Sequence, residues 1–117
     1  MEAVLKEIIF DHTLVTAAVL DRSNRNRQRE DMITPLMSLR DSLPLWEQHF
    51  APRLKEIRHP TLILWGEQDR LFPPQVGRDL QTTIPQARLI MIPEAGHIPQ
   101  WEQPQVVNRH ITEFLQP

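Results

Sequence analysis

The chain has 117 residues, enough for one small domain with a core of moderate size. A formal charge of -2 and a pI near 6.2 give no electrostatic ground for nucleic acid or an anionic membrane as partner, and zero cysteines exclude disulfides and thiolate metal sites. Met1-Glu-Ala-Val-Leu-Lys-Glu7 lacks a basic n-region and no apolar run approaches the roughly 20 residues of a membrane span, so a soluble, cytoplasmic protein without a cofactor is expected.

Residues 1–57 read as helical throughout. Val4, Leu5, Ile8 and Ile9 recur at helical spacing, and Asp11-His12 ends that segment. Thr16 is placed to cap a second helix that carries Val19 and Leu20. Beyond them Arg22, Arg25, Arg27 and Arg29 alternate with Ser, Asn and Gln and are flanked by Asp21, Glu30 and Asp31. A solvated helix face accounts for this cluster; an anion or partner site is the alternative. Ile33, Leu36, Met37 and Leu39 suggest a third short helix with Pro35 in its first turn, and Leu43–Phe50 a fourth with Trp46 and Phe50 at i,i+4. Leu36, Met37, Trp46 and Phe50 suit contact with an apolar substrate and packing against a core equally well.

From about residue 58 the pattern changes. Thr61–Trp65 and Arg88–Ile92 are continuous apolar runs of strand length, as parallel strands covered on both faces read. Between them Gln75–Ile84 fits a helix of about ten residues, introduced by Pro73-Pro74 and closed by Pro85. A final helix opens near Pro104 and carries Val106, Val107, His110, Ile111, Phe114 and Leu115. The order is β-α-β-α with parallel strands, an α/β architecture. Two parallel strands fall below the size at which sheets are normally stable alone, and the outer strand leaves a row of backbone groups unpaired. The pair is therefore expected to join a larger sheet, supplied by another polypeptide, a second copy, or the rest of a longer parent.

Asp69 lies four residues past the first strand and His97 five past the second. In α/β sheets functional groups gather beyond the carboxyl ends of strands, and adjacent strands lie roughly 5 Å apart, so the two side chains are within reach of one another. A carboxylate accepting the Nδ1–H of an imidazole fixes its tautomer and leaves Nε2 free as a general base. Gly66 and Gly96 permit sharp turns where a side chain would collide. Taken singly, Asp69 is equally an acid that bonds turn amides. Leu71 and Phe72 follow Asp69 and stand as candidates to line the crevice. Trp101 either walls a substrate pocket or packs in the core. Glu102 is read as satisfying the N-terminal amides of the last helix. His12, His49, His59 and His110 have no metal-like spacing with carboxylates, and no metal site is expected.

Pro60-Thr-Leu-Ile-Leu-Trp-Gly-Glu-Gln-Asp69-Arg-Leu-Phe-Pro-Pro74 and Pro93-Glu-Ala-Gly-His97-Ile-Pro-Gln-Trp-Glu102-Gln-Pro104 resemble the C-terminal part of α/β-hydrolase-fold enzymes, over roughly residues 53–117. The resemblance implies a partial α/β-hydrolase fold: residues 1–57 a helical cap-like segment, residues 58–117 the C-terminal core segment. It also implies that Asp69 is the acid and His97 the base of a Ser-His-Asp triad. The segment Ala51-Pro-Arg-Leu-Lys-Glu-Ile57 resembles the helix by which such caps rejoin the sheet. The chemistry implied is hydrolysis of an ester or of a C–C bond in a ketone-type substrate, a small apolar molecule. Gln100-Trp101-Glu102 resembles the C–C bond hydrolases of aromatic degradation, although Ile98 stands where many of those have Trp. An epoxide hydrolase is less favoured, because those enzymes hold the epoxide oxygen with cap tyrosines and this chain has no Tyr.

Glycines occur only at 66, 77 and 96 and serines only at 23, 38 and 42, so no Gly-x-Ser-x-Gly elbow is present. Without a nucleophile or the oxyanion donors of that elbow, the chain alone is expected to be nearly inactive. The partners expected are a small substrate once the site is completed, and either a second copy or a complementary hydrolase half at the free sheet edge. The competing readings are a non-catalytic interaction or oligomerisation module and a truncated hydrolase remnant.

Overall fold

The computed structural model describes residues 1–116, with all their side chains except those at 30–33, 36 and 40. The roles expected for the side chains of Glu30, Asp31, Ile33 and Leu36 therefore lie outside the described residues. Helix α1 spans Glu2–Ile8 and is braced by a Glu2–Lys6 ion pair at 2.6 Å. Ile9 does not continue it. Its backbone is extended (φ -112°, ψ 130°) and its side chain is 2% exposed, because Ile8–Phe10 runs against the Gly96–His97 loop rather than around a helix.

A 3-10 turn over His12–Leu14 follows, capped by Asp11, whose carboxylate accepts the Thr13 N–H. Helix α2, Ala17–Arg27, is capped by Thr16 Oγ1, which accepts the Val19 N–H at 3.4 Å. The third and fourth helices expected between residues 33 and 50 are one helix, α3 (Glu30–Leu45), running directly into a π turn at Trp46–Phe50 and a 3-10 segment at Ala51–Glu56. No glycine interrupts this stretch. Pro35 and Pro44 each delete one helical N–H without ending the helix, and the widened turn begins two residues after Pro44. Met37, Leu39, Leu43, Leu45, Trp46 and Phe50 on this stretch are all exposed.

Strands β1 (Thr61–Gly66) and β2 (Ala87–Ile92) pair in parallel from Thr61 opposite Ala87 to Gly66 opposite Ile92. They flank helix α4, Pro74–Thr83, which packs on both. Past the His loop lie a short helix α5, Pro99–Glu102, absent from the sequence reading, and α6, Pro104–Leu115. Ile92, Ala95 and Val107 form the buried core, with Leu64, Ile90 and Val106 packed around them. Ile84, at the end of α4, is also buried. The amphipathic faces of α4 and α6 thus close over an apolar sheet whose carboxyl ends point both loops the same way. Among the described residues no helix is long and apolar enough to cross a membrane.

Candidate active site

The parallel pairing brings the ends of β1 and β2 side by side, and their loops interlock. Glu67 N–H donates to Ile92 C=O at 3.0 Å, and Gln68 N–H to Ala95 C=O at 2.9 Å. The Gln68 side chain returns the bond, its Oε1 accepting the Ala95 N–H at 3.1 Å. The paired strand ends and the reciprocal loop bonds leave Asp69 and His97 facing each other. His97 Nδ1 lies 3.0 Å from Asp69 Oδ2. The Asp69 side chain is 5% exposed and that of His97 31%.

Asp69 Oδ1 accepts the N–H groups of Leu71 and Phe72, both at 2.9 Å. The acid therefore forms the turn through one oxygen and contacts the imidazole through the other. Because a carboxylate only accepts, Nδ1 carries the hydrogen and Nε2 is the free, basic nitrogen. A crevice of about 160 Å³, lined by Leu64, Trp65, Gly66, Asp69, His97 and Gln100 among others, opens at the pair.

The glycines matter for space rather than for backbone conformation. No glycine has a positive φ. A Cβ on Gly66 would stand 1.9 Å from Gly96 O, and one on Gly96 would stand 2.5 Å from Ile8 O. The one left-handed residue of the loop is Glu94, at φ 53°.

Of the other expected site residues, Phe72 is brought to the pair and the rest are not. Its ring sits 5.4 Å from the His97 ring, tilted by 49°. Its backbone is held by Asp69 Oδ1 and by the Trp65 indole, which donates to Phe72 C=O at 3.0 Å. Leu71 contributes its backbone N–H to Asp69 while its side chain stays half exposed. Trp101 lines a separate groove of about 520 Å³ against α2, with Val19, Arg22 and Arg25. It is neither core nor a wall of the small crevice.

Glu102 differs from the reading of its sequence. Its carboxylate does not take the amides of α6. It accepts Gly96 N–H at 2.8 Å and Ile98 N–H at 3.4 Å on Oε1, and Phe10 N–H at 2.6 Å on Oε2. The reason is that Glu102 closes α5, so its side chain turns back under the His loop instead of forward along α6. A signal existed: Ile98, Pro99, Gln105 and Val106, three and four residues away in sequence, offer Glu102 no cation. The Ile8 carbonyl, which accepts the His97 N–H at 2.7 Å, carried no signal at all. Among the described residues no group of His, Asp and Glu is arranged to hold a metal ion.

Comparison with known proteins supports the fold on independent ground. The chain is 32% identical over 98% of its length to the 2-hydroxy-6-oxononadienedioate/2-hydroxy-6-oxononatrienedioate hydrolase of Comamonas testosteroni. It is 33% identical, again over 98% of its length, to the 2-hydroxy-6-oxo-6-phenylhexa-2,4-dienoate hydrolase of Burkholderia cepacia. It spans 41% of each of these relatives. A solved meta-cleavage product hydrolase from Pseudomonas fluorescens IP01 superposes over 97% of this chain and 43% of its own, with a TM-score of 0.78 at 24% identity, a likeness of fold. A thermophilic esterase from Thermogutta terrifontis matches 52% of this chain and 22% of its own at 41% identity and TM-score 0.51. The family model for the alpha/beta hydrolase fold matches residues 8–104, and the chain belongs to that family.

Proposed function

We propose that this chain is the acid-and-base portion of a Ser-His-Asp hydrolase, with Asp69 orienting His97 and the nucleophile supplied by a segment docked on the free edge of β1. The observation that carries the reading is the buried carboxylate 3.0 Å from an accessible imidazole at the carboxyl ends of two paired strands. In the assembled site His97 Nε2 takes the serine proton as the oxygen attacks a carbonyl, then returns it to the leaving group. Phe72 borders the imidazole, Leu71 stands beside it, and Trp101 belongs to the separate groove against α2. Residues 1–57 act as a cap-like segment and 58–117 as the core segment.

Surface area supports an incomplete fold. The chain exposes 8632 Å², where a globular chain of its mass exposes about 6600 Å². The excess of about 2000 Å² is the scale on which one member of a large permanent assembly buries surface. Its radius of gyration is 16.4 Å, against about 13 Å for a compact chain of this length. The exposed apolar side chains between Met37 and Phe50 belong to that surplus.

For substrate, we propose a ketone-type acid, with an ester as the second class. The relatives act on 2-hydroxy-6-oxo acids, which carry carboxylate. The groove beside Trp101 offers Arg22, which has no ion-pair partner among the described residues, next to the Arg25–Asp21 pair. An arginine there suits a carboxylate.

The test is assembly with the nucleophile-bearing portion of the Burkholderia cepacia relative, followed by product analysis on its named dienoate. The chain alone is expected to resist labelling by a serine-directed fluorophosphonate and to turn nothing over. The assembly gains turnover that His97→Ala abolishes. Labelling of the chain alone, or an assembly indifferent to His97→Ala, refutes the reading.

A further inference from the structure

Three successive amides of the His loop are all committed, and their partners are not part of the acid-base pair. Gly96 and Ile98 donate to Glu102 Oε1, and the residue between them, His97, donates to Ile8 C=O. The second oxygen of the same carboxylate, Oε2, takes the N–H of Phe10 at 2.6 Å, across 92 residues of sequence. Glu102 is 9% exposed, and among the described residues its carboxylate makes no ion pair and accepts three backbone amides.

We infer that Glu102 is a positioning residue: its carboxylate ties the extended Ile8–Phe10 segment to the Gly96–Ile98 loop and thereby holds the His97 imidazole at Asp69. This deepens the reading of Asp69 and His97 as an acid-base pair and rests on it. The consequence is that the N-terminal segment belongs to the scaffold of the site. Anything that moves Ile8–Phe10 moves His97, because both oxygens of one rigid carboxylate and the Ile8 carbonyl bridge the two.

The inference predicts more than a packing role. Glutamine at 102 keeps the shape and one acceptor oxygen but presents an amide N–H₂ to at least one backbone N–H, which is donor against donor. The imidazole then loses its fixed placement although Asp69, Phe72 and the strands are untouched.

The experiment is proton and nitrogen NMR on the full chain, wild type against Glu102→Gln, with the exposed Glu113→Gln as control. The readouts are the His97 Nδ1–H resonance and amide hydrogen exchange at Phe10, Gly96 and Ile98. In the wild type the Nδ1–H proton is observed and the three amides are protected together. In Glu102→Gln exchange at the three amides rises at least tenfold and the Nδ1–H signal broadens or disappears, while Glu113→Gln matches the wild type. An unchanged Nδ1–H signal and unchanged protection in a folded Glu102→Gln overturn the inference. Should that variant fail to fold, the wild-type exchange decides: a Phe10 amide exchanging as an open chain while Gly96 stays protected also overturns it. Absence of the Nδ1–H signal in the wild type itself would instead count against the acid-base pair.

Discussion

Replacing Gly66 with alanine tests how tightly the two loops are built into one another. The new Cβ would lie 1.9 Å from Gly96 O, 2.5 Å from Ala95 O and 2.9 Å from the Ala95 carbonyl carbon, all backbone atoms that no rotamer change can move. Reaching an ordinary closest approach requires the end of β1 and the His loop to part by about 1 Å or more. The loop is also fastened by the Gln68–Ala95 pair of bonds and by Glu102, so it cannot swing freely. A cost of ~3 kcal/mol or more follows, the upper range for overpacking, and a parting of that size stretches the 3.0 Å contact between His97 and Asp69 beyond bonding distance. Gly77→Ala is the internal comparison. The atoms nearest its Cβ would belong to the Trp65 ring, at 3.0–3.2 Å. A side chain can yield a few tenths of an ångström, and alanine in a helix gains about 1 kcal/mol over glycine, so this variant should fall within ~1 kcal/mol of the parent. Urea denaturation, with the His97 Nδ1–H resonance as second readout, separates the two. A Gly66→Ala chain as stable as the parent, with that resonance intact, would refute the packing argument.

Asp69→Asn leaves one acceptor for three donors, so its amide faces either the Leu71 and Phe72 N–H groups or His97. The Nδ1–H resonance should vanish, and turnover of the assembled enzyme should fall by about 10³–10⁴ through the wrong tautomer. Ile92→Ala empties a fully buried position in the centre of the core and should cost about 2–5 kcal/mol, measured by thermal or urea unfolding. The Asp11 carboxyl lies below the ordinary aspartate range because the Thr13 hydroxyl and N–H both donate to it. A depressed folded value means that its contribution is present above the unfolded value and is lost as pH falls through the folded one. NMR titration should place its midpoint below that of Asp11 in an unfolded peptide, and Thr13→Ala should raise it.

What the sequence revealed and what it concealed divide along a physical line. Continuous Ile/Leu runs ending in Gly66 and near Gly96 announced two parallel strands, and parallel register with short loops at the carboxyl ends brings Asp69 to His97. Thr16 announced its helix by the chemistry of capping. These features are local. By contrast, the join of the two expected short helices into α3 depended on two prolines being tolerated inside a helix, which single-residue rules penalise. Ile9 matched a helical stripe and is buried, but in an extended segment, because apolar spacing cannot tell which partner buries a residue. Glu102 and the Ile8 carbonyl act through backbone atoms distant in sequence, and backbone acceptors leave no mark on residue identity. The position of Phe72 was legible only as proximity to Asp69; beside the imidazole its carbonyl accepts the Trp65 indole N–H.

The edge of β1 offers the last discriminating measurement. Thr61 N–H donates to Gln86 C=O and Glu67 N–H to Ile92 C=O, both toward β2. Strand alternation therefore turns the N–H groups of Ile63 and Trp65 the same way, and those of Leu62 and Leu64 away from β2. In a dilute, unassembled chain the Leu62 and Leu64 amides should exchange at least tenfold faster than those of Ile63 and Trp65. Docking of a nucleophile-bearing strand on β1 pairs the outward amides and should erase that alternation. Raising the concentration of the chain alone separates the two occupants of the edge. If protection of Leu62 and Leu64 grows with concentration, and sedimentation reports a larger species, a second copy takes the edge. If the alternation persists at every concentration and disappears only when the complementary segment is added, the edge is specific for that segment. Uniform protection at the lowest concentration, in a species sedimenting as a monomer, would mean that the edge is covered from within, and the proposed docking of the nucleophile segment would have to be abandoned.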